Sequence, residues 1–242
     1  MKKFWGFLLV IVLMTSCGEY QSLLKSNDYN LVYKKAIEYY NKGDYQRAMN
    51  LLDGVRSVFV GQAKAQNIAY YRAFCSYNMK DYQIASDLFK QFIQTYPESS
   101  FAEECLYMMG FCDYKASPKP RLDQQVTEKA IREFQLYLSR YPYSMRKDKV
   151  NTYMDEMRDK LSYKAYLSAK NYYLREHYKA AVISLQNCLK DYPGSKYREE
   201  IMYMLFVSKY QMAVNSVEDK KVERYNNARE EYYYFADEYP NS

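Results

Sequence analysis

The sequence contains few residues that end or break helices. Its 242 residues include only 7 glycines and 6 prolines, and neither type occurs between Tyr143 and Tyr192. Because glycine weakens a helix and proline interrupts one, their scarcity favours an all-α protein. Tyrosine is abundant instead, and the 31 tyrosines need positions in a core or in a groove.

Residues that carry catalysis or bind metals are also few. His177 is the only histidine, and it lies in a turn, where a solvated residue is expected rather than a general base. The sequence has no C-x-x-C pair and no glycine-rich phosphate loop, so neither a zinc site nor a nucleotide site is expected. We therefore predict no enzymatic activity, no metal and no cofactor.

The charge is modest and dispersed. The formal net charge is +6, two units of which belong to Lys2 and Lys3 near the start of the chain, and no run of five like charges occurs. Proteins that bind nucleic acid concentrate basic residues on one face or in one segment. A nucleic-acid partner is therefore not expected.

Met1 to Ser16 has the layout of a secretory signal peptide. A basic start is followed by an apolar run from Phe4 to Met14, which is too short to span a membrane. The ending L-M-T-S-C resembles a bacterial lipobox, so Cys17 is expected to carry the lipid; a plain signal peptide with an incidental cysteine is the alternative. Residues 17–29 are then predicted to form a lipid-anchored tether. Residue 18, directly after Cys17, is glycine and not an acidic residue, which favours transport of the lipoprotein to the outer membrane. There the protein is expected to face the periplasm.

Four cysteines remain after Cys17. Cys105 and Cys112 are seven residues apart on one predicted helix, about 10.5 Å along its axis, so they cannot bridge each other. We expect all four to be small buried side chains, and a disulfide such as Cys75 with Cys112 is the alternative. The four are Cys75, Cys105, Cys112 and Cys188.

One sequence unit is repeated along the chain. In four places an alanine that begins an apolar helical face is followed twelve residues later by a proline that ends the helix. A short turn precedes this helix, as in N-K-G-D-Y, where Gly43 permits a left-handed residue and Asp44 can cap the next helix. Each repeat is therefore predicted to be helix, turn, helix. The pairs are Ala85 and Pro97, Ala130 and Pro142, Ala181 and Pro193, and Ala228 and Pro240.

Three departures from the repeat are informative. Eight extra residues around Ser117–Arg121 contain two prolines and predict a stiff loop. Ten extra residues are expected before the last helix. After Pro142 a surplus of 14 residues, close to four turns at about 3.6 residues each, predicts one long helix from about Arg146 to Arg175.

These features resemble a known family. The small-residue, alanine and proline spacing is similar to the tetratricopeptide repeat. Five such repeats behind a lipobox, the Tyr-Pro-x-Ser endings, the insertion R-L-D-Q before Thr127 and the long helix together resemble the BamD family of lipoproteins that assemble outer-membrane β-barrels. The resemblance implies an all-α, right-handed solenoid of five helix-turn-helix repeats. It also implies a scaffold that binds the periplasmic domains of the barrel subunit BamA and recognises unfolded barrel proteins.

We divide the mature chain accordingly. Residues 30–142 hold repeats one to three and are expected to bind substrate. Residues 143–242 hold the long helix and repeats four and five and are expected to bind BamA. The alternative function is another periplasmic repeat lipoprotein, either glycan-binding or coordinating the cell envelope. Because a repeat array needs a polar cap on its last apolar face, a further helix or a partner is expected beyond Ser242.

A second register of aromatic residues runs through the first helix of each repeat. Three positions before and four after the small residue are tyrosines in all five repeats, which places them on one helical face. By resemblance that face lines the concave groove, and we expect it to hold the aromatic-ended terminal strand of an unfolded barrel protein; ordinary inter-repeat core is the alternative. Lys170 interrupts the register, so the platform should be confined to repeats one to three. Its predicted members are Tyr33, Tyr40, Tyr70, Phe74, Tyr77, Tyr107, Phe111 and Tyr114.

Overall fold

A computed structural model describes residues 18–242; the predicted signal peptide and the lipidation site Cys17 lie outside these residues. Every regular element among the described residues is a helix. Helix α1 includes residues 18–24. The others are α2 (Tyr29–Asn41), α3 (Tyr45–Val55), α4 (Ala63–Asn78), α5 (Tyr82–Thr95), α6 (Ala102–Ala116), α7 (Gln125–Arg140), α8 (Lys147–Leu174), α9 (Tyr178–Asp191), α10 (Arg198–Val214) and α11 (Glu218–Glu238).

The five helix-turn-helix repeats are confirmed. They pair α2 with α3, α4 with α5, α6 with α7, the end of α8 with α9, and α10 with α11. The alanine at the start of each apolar face is buried because a side chain larger than a methyl would hold the two helices apart. These alanines are Ala48, Ala85, Ala130, Ala181 and Ala228, each exposed by 2% or less.

The short turns follow the chemistry expected of them. Asp44 accepts a hydrogen bond from the Arg47 amide at 3.2 Å and so caps α3. Gly43 adopts a left-handed φ of +81°. The same position is left-handed in two later turns, where Lys80 (φ +67°) and Glu176 (φ +59°) replace glycine. The repeat therefore imposes this conformation on residues that disfavour it.

The serines of the Tyr-Pro-x-Ser endings form local hydrogen bonds in the turn that precedes the next helix. The hydroxyls of Ser99, Ser144 and Ser195 each accept a hydrogen bond from the backbone amide two residues later, at 3.2, 3.2 and 3.3 Å. These local bonds hold the backbone where the next helix starts.

Two of the three departures are confirmed. Helix α8 is one uninterrupted helix of 28 residues, Lys147–Leu174, close to the predicted limits. Residues 117–124 form the predicted loop between α6 and α7. The third prediction, of ten extra residues before the last helix, was wrong, because the extra residues of repeat five lengthen its helices. Helix α11 has 21 residues where its counterpart α5 has 14, and only residues 215–217 separate α10 from α11.

The chain packs as two units. The first comprises the described residues up to Ser117 together with Gln125–Val150, and the second comprises Pro118–Gln124 with Asn151–Ser242. The boundary between the units therefore follows Val150, eight residues after the predicted one at residue 142, since the first turn of α8 packs with unit one.

Part of the predicted tether is folded. Residues 18–24 are helical, and Tyr20 and Leu23 are buried in a core cluster with Val32 and Ala48. The Tyr20 hydroxyl also accepts a hydrogen bond from Asn50 at 3.0 Å. The tether prediction for these residues was wrong because two buried apolar side chains are too few to show a helical period.

Candidate functional site

The structure brings most of the predicted aromatic residues together in unit one. Their rings form a continuous series of contacts, which we call the aromatic row, with centroid separations of 4.5–6.4 Å. Phe111 stacks on Tyr107 (5.7 Å) and on Tyr114 (5.9 Å). Tyr33 contacts Phe59 instead. The row runs through Tyr40, Tyr71, Tyr70, Phe74, Tyr77, Phe111, Tyr107 and Tyr114.

The exposure of these side chains is intermediate. All eight predicted residues are half-buried except Tyr107, which is only 7% exposed and belongs to the core. A half-buried tyrosine places its ring against the protein and its hydroxyl near solvent, which is the arrangement of many peptide-binding surfaces. Tyr107 offers almost no surface to a ligand.

Several tyrosines that lie three positions before the small residue have a partner in the next repeat. Tyr70 donates to Glu104 Oε2 at 2.8 Å, and in unit two Tyr166 donates to Glu200 Oε2 at 2.6 Å. Both pairs are separated by 34 residues. Asn67, at the same spacing from Tyr33, lowers the pKa of that tyrosine against the larger rise that burial causes. The inter-repeat role that was the alternative reading therefore applies to these tyrosines.

These tyrosines are neutral donors at physiological pH. Burial raises the pKa of Tyr70, and its hydrogen bond to Glu104 and the charge of that carboxylate raise it further. Burial likewise raises the pKa of Tyr40 to about 12, although a hydrogen bond from Asn78 opposes the shift. Tyr40 and Tyr70 therefore carry no charge near neutrality.

Two contacts of the row were not predicted. Tyr71 bridges Tyr40 and Tyr70, with centroids 4.9 and 5.5 Å away. Arg146 lies over the Tyr107 ring, with its Cζ 4.9 Å from the centroid, and is 3.8 Å from Glu104. Tyr71 lies off the register that we counted, and no sequence period indicates Arg146. Glu104 could have been found from the 34-residue spacing.

Lys170, which interrupts the aromatic register in repeat four, is held by an ion pair and a hydrogen bond within unit two. Its Nζ is 2.7 Å from Glu200 Oε1 and donates to the Tyr166 hydroxyl at 2.8 Å. The hydrogen bond from Lys170 holds the pKa of Glu200 below its ordinary value. In repeat five the register is more open, because Tyr203 is 48% and Tyr210 is 44% exposed.

A buried polar cluster lies between α5, α6 and α7 of unit one. Lys129 Nζ is 2.9 Å from Asp113 Oδ2 and 3.7 Å from Glu133 Oε1, and Ser86 donates to Asp113 at 3.0 Å. Burial raises the pKa of Glu133, and the hydrogen bond and charge of Asp113 raise it further, against the opposing charge of Lys129. Among the described residues Glu133 Oε2 has no hydrogen-bond partner. A direct hydrogen bond between the two carboxyl groups requires a proton on one of them, and the raised pKa of Glu133 favours that proton.

The four cysteines that follow Cys17 are free and buried, as predicted. Burial raises the pKa of each thiol, to about 12 at Cys75 and Cys105 and to about 11 at Cys188. Such thiols react slowly because the thiolate is the nucleophile. The alternative disulfide between Cys75 and Cys112 is not formed.

Comparisons with known proteins identify one family. The model of the YfiO family, described as outer membrane lipoprotein, matches residues 25–223. Among solved structures, the TPR2AB-domain:pHSP90 complex of yeast Sti1 matches at 12% identity with a TM-score of 0.42, over 84% of this chain and 77% of that one. No curated protein sequence gives a significant match. Within residues 18–242, no helix combines the length and the apolar character needed to cross a bilayer.

Proposed function

We propose that this chain, which belongs to the YfiO family of outer membrane lipoproteins, is a non-catalytic scaffold subunit of the β-barrel assembly complex. In this role Cys17 carries the lipid anchor, and the protein faces the periplasm from the outer membrane. The assignment to the β-barrel assembly complex is supported by the resemblance of the sequence to the BamD family. The assignment to the outer membrane lipoproteins is supported by the family match. The observation that carries the binding role is the half-buried aromatic row.

We assign substrate recognition to three half-buried rings of the row. Tyr77, Phe111 and Tyr114 belong to it, with Phe111 in contact with both tyrosines. An extended terminal strand of an unfolded barrel protein places every second side chain on one face, and the aromatic rings on that face can pack on the row. An aromatic contact of about 100 Å² contributes roughly 2–3 kcal/mol before ordering costs, so two or three support micromolar binding.

Replacing Tyr77 and Phe111 together by alanine is expected to weaken peptide binding by at least about tenfold, because two ring contacts are lost. The probe is a ten-residue peptide of alternating apolar and polar residues that ends in phenylalanine, and its affinity is measured by fluorescence anisotropy. The melting temperature is recorded in parallel, since these rings also pack on neighbours within the unit.

The matched control is Tyr203→Ala with Tyr210→Ala, which removes the same register in repeat five, outside the predicted platform. That double variant should bind the peptide normally. An equal loss of affinity in both double variants would show that the row has no special role. A large fall in melting temperature with unchanged affinity would assign Tyr77 and Phe111 to the core.

We assign BamA binding to repeats four and five and the long helix. Supporting this, Tyr233 and Tyr234 on α11 are 61% and 68% exposed, and exposed tyrosines are frequent anchors of protein interfaces. Tyr233→Ala with Tyr234→Ala is expected to lower co-purification of BamA from solubilised outer membranes by at least about fivefold. Tyr143→Ala, at a residue that is 97% exposed in unit one, is the control.

The same purification separates the proposed function from its alternative. Recovery of BamA with the wild-type chain and the Tyr143→Ala variant, but not with the α11 variant, supports the assignment. If the wild-type chain recovers no barrel subunit and instead binds glycans, the assembly role is rejected.

A further inference from the structure

The insertion loop and the long helix of unit two form a cleft. It encloses about 470 Å³ and is lined by the loop residue Arg121 and by four residues of α8. Three of the α8 residues, Lys164, Ser168 and Asn171, follow each other at intervals of four and three and so lie on one helical face. Leu167 completes the lining.

The loop is held in place on its own side of the cleft. Gln124, which is buried, donates from Nε2 to the carbonyl oxygens of Lys119 (2.8 Å) and Leu122 (3.1 Å). Pro118 and Pro120 restrict the backbone further. Lys164 Nζ donates to Leu122 O at 2.7 Å and so joins the loop to α8. Arg121 therefore stands on a preorganised segment, which reduces the entropic cost of binding a ligand.

The lining is rich in donors and contains no carboxylate. Arg121 offers a guanidinium, Lys164 retains donors beyond the one given to Leu122, and Ser168 and Asn171 add a hydroxyl and an amide. Arg121, Ser168 and Asn171 make no side-chain hydrogen bond or ion pair with any residue of 18–242.

We infer that this cleft binds a phosphate-type oxyanion, either on a soluble phosphate ester or on a lipid headgroup. One arginine fork satisfies a carboxylate, whereas a tetrahedral phosphate uses donors that approach from several sides. Here the donors approach from a loop on one side and from a helix face on the other. The site is separate from the aromatic row and does not depend on the proposed assembly function.

Arg121→Ala is expected to weaken binding of inorganic phosphate by roughly tenfold, since a charge-assisted hydrogen-bond pair is lost. Arg121→Lys, which keeps the charge but not the fork, should bind with intermediate affinity. Binding is measured by calorimetry on the full-length chain in a non-ionic detergent, at constant ionic strength. Arg132→Ala, which removes the same charge from an exposed position on α7, is the control and should bind as the wild type does.

A second set of titrations separates the sources. Dihexanoyl phosphatidylglycerol that binds in an Arg121-dependent manner identifies a lipid headgroup, and binding of inorganic phosphate without the lipid identifies a soluble ester. The inference is overturned if neither probe binds, if Arg132→Ala weakens binding as much as Arg121→Ala, or if only a glutamate-rich peptide binds.

Discussion

Replacing Phe134 by alanine is expected to destabilise the protein by about 3–5 kcal/mol, the cost of emptying a fully buried aromatic site. Phe134 is 0% exposed and lies where α7 packs on α6. Its ring is the reason that repeat three has a glycine where repeats one, two and four have alanine. A Cβ on Gly110 would lie 2.9 Å from Phe134 Cδ1.

The contact between Gly110 and Phe134 predicts strong non-additivity. Gly110→Ala alone should cost about 1–3 kcal/mol, because the ring must shift in a packed core. In the Phe134→Ala background the same change should be neutral or stabilising, since alanine is favoured over glycine in a helix by about 1 kcal/mol. Urea denaturation followed by circular dichroism measures the free energy of unfolding of the wild type, the two single variants and the double variant.

Leu136→Ala, at a residue on α7 that is 53% exposed, is the control and should cost less than about 1 kcal/mol. Additive effects of Gly110→Ala and Phe134→Ala would contradict the argument, because they would mean that α6 and α7 adjust their separation freely.

Removing Lys129 is the second large effect expected. Lys129→Met leaves Asp113 and Glu133 facing each other without the ammonium group between them, and an uncompensated buried charge commonly costs 3–5 kcal/mol. Because the Lys129 side chain is about a third exposed, solvent screening reduces the expected loss to about 2–3 kcal/mol at pH 8.

The loss should depend on pH in a defined direction. The pKa of Glu133 is raised in the folded protein, so the native state binds more protons than the unfolded state above the ordinary glutamate value of about 4.3. Stability must then fall as the pH rises from that value towards the raised one. Lys129 opposes the shift, so Lys129→Met extends this window to higher pH and enlarges the total fall.

Glu133→Gln provides the diagnostic comparison. It removes the titrating carboxyl, so it should restore most of the stability of Lys129→Met at pH 8 and flatten its pH dependence. Lys147→Met, at an exposed residue of α8, controls for the lost charge. Denaturation at pH 5 and pH 8 measures these differences; an equal loss at both pH values would exclude Glu133 as the cause.

The repeat architecture was predictable because each of its rules is local. The alanine-to-proline spacing located the second helix of four repeats, and the surplus after Pro142 gave the 28-residue helix α8. The resemblance to the BamD family, drawn from the same features, is confirmed by the match over residues 25–223. A surplus of residues does not by itself distinguish loop from helix, however. In residues 117–124 the two prolines correctly indicated a loop. Residues 207–227 contain no proline or glycine, and most of them are helical.

The sequence predicted which residues of the candidate site share a helical face, but not how deeply each side chain is buried. Counting placed the tyrosines on one helical face, yet it gave Tyr77 and Tyr107 the same status, and the structure buries Tyr107 beneath Arg146. The difference depends on the side chains that the next element brings over each ring, and these come from distant parts of the sequence. The polar cluster around Asp113 was missed because its members lie on three helices, and only Lys129 and Glu133 share a helical spacing.

The bond between Tyr70 and Glu104 joins residues that are 34 apart, as does the bond between Tyr166 and Glu200. A gene duplication of one 34-residue unit would copy both the tyrosine donor and the glutamate acceptor, so each new repeat would already form this hydrogen bond with its neighbour. A graft or deletion of any other length would separate the two halves. Tyr107, which precedes the insertion, has the Arg146 guanidinium over its ring, and Tyr166 has the Lys170 ammonium over its ring. Lengthening an array of this kind therefore succeeds most easily in whole units.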